Sequence, residues 1–82
     1  MNQTTKDVKA ELEKSIAHLR TLRDEVKVQL HLGGLDAKEE WRRLEPRLES
    51  ALERAGKEVS AASKTLVEDV TEAVRTFRKS LR

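Results

Sequence analysis

The stretch Leu32-Gly33-Gly34-Leu35-Asp36-Ala37-Lys38-Glu39-Glu40-Trp41 constrains this chain more than any other. It is where the signals for ending one helix and starting another coincide. Gly33 or Gly34 is expected to close a helix C-terminus in the left-handed conformation, which costs glycine nothing because it has no Cβ. Asp36 then stands at the expected N-cap, three residues before Glu39, as a capping box requires. The chain is expected to turn at residues 33–36.

On either side the apolar residues recur at steps of three and four, the helical period. Before the turn they are Val8, Leu12, Ile16, Leu19, Leu22, Val26 and Leu30, a single seam with a mean period close to that of a straight helix. A helix over about 5–32 follows, with Thr4, Lys6 and Asp7 offering a weak capping box at its start. Val28 and Leu32 lie off the seam and are expected to widen the buried face near the turn.

After the turn the stripe is Trp41, Leu44, Leu48, Leu52, Ala55, Val59, Ala62, Leu66, Val70, Val74, Phe77 and Leu81, unbroken in phase. It predicts a long second helix over about 37–81, kinked near Pro46, which lacks an amide hydrogen and clashes with the carbonyl of Arg42. Gly56 reads as a costly glycine inside that helix, and three helices broken at Gly56 are the alternative. Small residues at Ala51, Ala55, Gly56, Ser60, Ala61, Ala62 and Ser63 mark either the closest helix contact or ordinary helix surface.

The two arms are unequal. Folded back antiparallel, the first helix ends opposite Val59 or Ala62. Leu66, Val70, Val74, Phe77 and Leu81 are then left without an intramolecular cover, forgoing something like 7 kcal/mol, a figure comparable to the stability of a small domain. The expected fold is therefore all-α: a single helical-hairpin domain over 1–82, dimerising into a coiled-coil-like four-helix bundle with those five residues as partner interface. The size agrees, because a chain of 82 residues without cysteine has neither disulfides nor thiolate metal sites to supplement a small core.

The function expected is that of a non-catalytic interaction or scaffold module that self-associates or binds a helical partner. One alternative is attachment to a membrane surface through the C-terminal helix, where Arg75, Arg78, Lys79 and Arg82 flank Phe77 and Leu81. Glu68, Asp69 and Glu72 just upstream oppose it. A second alternative is weak, nonspecific nucleic-acid binding through residues 75–82, which carry +4 while the other residues, 13 basic against 15 acidic, carry −2. Their simpler role is to complement the helix dipole.

Catalysis and cofactors are not expected. His18 and His31 lack a carboxylate three residues before them and form no His-x-x-x-His pair, so bundle-type metal spacing is missing. Gly33-Gly34 lacks the spacing of a phosphate loop. Glu45, Glu49 and Glu53 form a row, but Arg42, Arg43, Arg47, Arg54 and Lys57 surround it, as on a solvated face. Trp41 is expected to pack the turn end of the hairpin. With no apolar leader or spanning segment, a cytoplasmic location is expected.

Overall fold

The helix before the turn, α1, spans Thr4–Leu30. In the computed structural model, which describes the backbone of residues 4–81 and the side chains of residues 7–81, α1 buries Leu12, Leu19, Leu22, Val26 and Leu30, with Ile16 partly buried against them. The expected seam is thus the buried face. Val28 and Leu32 do not widen it, being 68% and 86% exposed. The side chains of Thr4 and Lys6, to which the capping box at the N-terminus was assigned, lie outside the described residues.

The turn falls where the glycines place it, but by another device. The helix tightens through three i→i−3 bonds, in which the amides of His31, Leu32 and Gly33 donate to the carbonyls of Val28, Gln29 and Leu30 at 3.3, 3.0 and 3.1 Å. Neither glycine adopts positive φ. Gly33 allows a close approach instead, since a Cβ there would stand 3.3 Å from Ala37 Cβ, a tight contact. Gly34, extended at φ −84° and ψ −176°, is the N-cap of the next helix, and Asp36 stands in its first turn, where a carboxylate complements the helix dipole.

That helix, α2, spans Leu35–Lys57 and passes through Pro46 without ending. Pro46 is exposed, so the carbonyl freed at Arg42 is available to water, and one lost hydrogen bond does not stop a helix whose other face is buried. Trp41, Leu44, Leu48, Ala51 and Ala55 form that face.

The second expected arm is in fact two helices. The chain leaves α2 at Glu58, whose amide still donates to the Arg54 carbonyl at 2.9 Å, and re-enters helix at Ala61. Ser60 is the N-cap, its Oγ accepting from the Ser63 amide at 3.1 Å. The third helix, α3, spans Ala61–Ser80. The break lies just past Gly56, which remains helical, and the cause is the serine cap. The small residues are divided by the turn: Ala51, Ala55 and Ser63 are buried, whereas Gly56, Ala61 and Ala62 are exposed.

The result is a three-helix arrangement 50 Å long and 17 by 15 Å across, not a two-helix hairpin. Arg23–Glu49 and Lys27–Glu45 pair at 3.5 and 3.4 Å across antiparallel α1 and α2. Lys64–Glu11 and Arg78–Glu25 pair across parallel α3 and α1. The α2–α3 seam has no ion pair among the described residues and is held by apolar contact. α3 packs along both other helices, which touch each other less.

This corrects the argument for an uncovered stripe. Val70, Val74 and Phe77 are 1%, 0% and 4% exposed within their own chain, and Leu66 and Leu81 are partly buried against the same cluster. The core of α3 also takes Val67 and Ser63, both absent from the expected stripe. Their spacing, 63, 67, 70, 74 and 77, is a heptad seam of alternating fours and threes, as in α2.

Candidate functional site

Of the five residues expected to form a partner interface, Val70, Val74 and Phe77 are buried within their own chain, and Leu66 and Leu81 are partly buried against the same cluster. The cations expected to meet an anionic surface are largely engaged. Arg75 pairs with Glu72 at 3.3 Å and approaches His18 Nε2 at 3.3 Å, and Arg78 is tied to Glu25. Lys79 is exposed and without an ion pair among the described residues, and Arg82 lies outside them. The glutamate row divides as well: Glu45 and Glu49 bridge to α1, while Glu53 pairs with Lys57 at 3.6 Å.

The exposed large apolar residues lie elsewhere. Val28, Leu32 and Leu35 are 68%, 86% and 79% exposed and Val59, at the α2–α3 turn, 46%; Leu32 and Leu35 flank Gly33-Gly34 at the α1–α2 turn. Because α3 runs parallel to α1, its C-terminus reaches the same end of the bundle. A shallow depression of about 540 Å³ there is bordered by Leu32, Leu35, Phe77, Ser80 and Leu81. A reading of period alone misses this surface because Val28, Leu32 and Leu35 are apolar residues off the seam, which is itself the signal that finds them.

A groove of about 330 Å³ opens beside the turn between α1 and α2. The outer edges of Leu30 and Trp41 floor it, and Lys27, His31, Lys38, Arg42 and Glu45 rim it. Lys27 reaches Glu45 at 3.4 Å, and Arg42 reaches Glu39 at 3.5 Å in a largely exposed pair. Lys38 and His31 have no ion pair among the described residues.

At the other end of the molecule Lys64 Nζ sits 2.8 Å from Glu68 and 3.4 Å from Glu11. The hydrogen bond to Glu68, and then that to Glu11, hold its pKa above the ordinary 10.5. This cluster ties α3 to α1 at the surface. Among the described residues no group of three or more histidines and carboxylates is arranged to hold a metal ion, and no helix is long and apolar enough to cross a membrane.

Compared with protein-family models, with curated proteins and with solved structures, the chain matches none.

Proposed function

We propose that the chain is a non-catalytic helical interaction or scaffold module, and that its contact surface is the end of the bundle formed by the α1–α2 turn. The observation that carries this reading is the exposure of Val28, Leu32 and Leu35. Single exposed apolar residues need no explanation, but leucines on both sides of one tight turn expose apolar surface that a partner would remove from water. The bulk of the core is satisfied within the chain, so association is not needed for folding. Three side chains offer less than the roughly 800 Å² per partner of a stable interface, so a second copy would bind weakly and a helical protein partner would have to add contacts.

Sedimentation velocity across a wide concentration range tests self-association. The wild type is expected to show a concentration-dependent mass, and Leu32→Asp/Leu35→Asp to stay monomeric with unchanged helix content. Two monomers of identical behaviour at high micromolar concentration remove the turn as a self-association surface.

Attachment to a membrane surface is the second reading, and it now rests on the same end, where Leu32 and Leu35 are exposed near Lys38 and Lys79. Asp36, Glu39 and Glu40 oppose it. Anionic liposomes in low salt should sediment the wild type but not the double aspartate variant if it holds. Nucleic-acid binding through residues 75–82 has less support, since Glu72 and Glu25 stand beside Arg75 and Arg78 and offset the positive charge that phosphates would meet.

A further inference from the structure

We infer that the α1–α2 groove beside the turn binds a segment of a protein partner that carries one large apolar anchor residue flanked by carboxylates. The inference rests on the interaction-module reading and names the chemistry of its partner, but it uses different residues from the exposed leucines.

The groove combines an apolar floor with an excess of positive charge. Leu30 and Trp41 lie at its base, and among the lining residues Lys27, Lys38 and Arg42 set three formal positive charges against Glu45, with Glu39 beside Arg42. The α2–α3 groove at the same end is also net positive, with Arg43 and Arg47 against Glu40, but both of its cations stand on α2 and none on α3; the one at the far end has Arg54 with Glu58 and Asp69. The pair that occupies Arg42 is exposed on both sides and spans one helical turn, so it exchanges readily for a better-placed carboxylate.

The arrangement of the cations selects the occupant. Lys27 and His31 belong to α1 and Lys38 and Arg42 to α2, so positive charge stands on both banks with the apolar floor between them. A ligand that matches has its apolar group in the middle and anionic groups to either side. A peptide segment has that layout. A bilayer does not, since its headgroups lie in one plane above the acyl chains, and Asp36, Glu39 and Glu40 would face them. At about 330 Å³ the groove is at the small end of ligand sites, suited to one large side chain and its neighbours rather than to a whole helix.

The test uses the full chain, isotope-labelled for amide NMR, and the blocked peptide Glu-Glu-Phe-Glu-Glu with its Gln-for-Glu and Ala-for-Phe counterparts. The first peptide is expected to shift the signals of Lys27, His31, Lys38 and the Trp41 indole in a saturable way. Each counterpart should bind about tenfold more weakly, and Lys38→Glu/Arg42→Glu should abolish binding while leaving the helix signal intact. Leu32→Ser/Leu35→Ser, which adds no charge, should change the peptide affinity by less than about threefold, because those side chains do not line the groove. Equal binding of the Glu and Gln peptides overturns the inference, as does a shift pattern away from the groove or binding of phosphatidylserine vesicles without binding of the peptide. If the peptide fails while the double aspartate variant still loses self-association, the groove assignment falls and the contact surface at the turn stands. If neither variant differs from wild type in either assay, both fall.

Discussion

Trp41 and Phe77 stack with ring centroids 5.8 Å apart and planes inclined by 25°, joining the start of α2 to the end of α3. The two rings are 5% and 4% exposed and hold a seam that no ion pair crosses among the described residues. Phe77→Ala should therefore cost about 3–5 kcal/mol, a large part of the stability of so small a fold. Urea unfolding should show the loss, and the emission of Trp41 should move to longer wavelength in the folded variant as its ring becomes wetter.

The second turn depends on one hydroxyl. Ser60 Oγ accepts the Ser63 amide and stands 3.3 Å from Ser63 Oγ. Ser60→Ala should cost about 1 kcal/mol and Ser60→Gly only a few tenths. Thermal melts of the three proteins should rank wild type, glycine and alanine in that order; an alanine variant as stable as the wild type would show that the cap does not hold the turn.

Lys64 predicts a pH dependence. Its pKa is raised in the folded chain by Glu68 and then Glu11, so the stability it contributes is fully present below its unfolded value near 10.5 and is lost as pH rises through the higher folded value. The difference in urea midpoint between the wild type and Lys64→Gln should be constant from neutral pH into the mildly alkaline range and shrink only in strong alkali. Direct NMR titration of the Lys64 side chain should give a midpoint above the ordinary 10.5.

Two glycines should respond differently to alanine. Nothing stands within 4 Å of a Cβ at Gly56, and its φ is not positive, so Gly56→Ala should stabilise the end of α2 by about 0.5 kcal/mol. At Gly33 the new methyl would crowd Ala37 at 3.3 Å, and the same change should give no gain or a loss. Paired chemical denaturation curves measure both.

Much of the architecture was legible in the order of residues. The all-helical class, the seam of α1 and the turn at Gly33-Gly34 follow from period and from turn chemistry, which are local properties. The turn at 58–60 was not read from them, because Val59, Ala62 and Leu66 keep the apolar period across it and the phase of the stripe conceals the break. Ser60 was the visible signal, as a serine followed three residues later by Ser63 at the head of a heptad seam.

What the sequence determined by itself is a set of amphipathic helices and the presence of more apolar surface than one hairpin can hide. Whether that surface is covered within the chain or by another molecule was decided only by tertiary structure. The bend at Ser60 lets α3 lie along both α1 and α2, burying Val70, Val74 and Phe77. What remains exposed among the described residues is Leu32 and Leu35 at one turn, Val59 at the other and Val28 on the outer face of α1, because a helix can cover only the sides of its neighbours that face it.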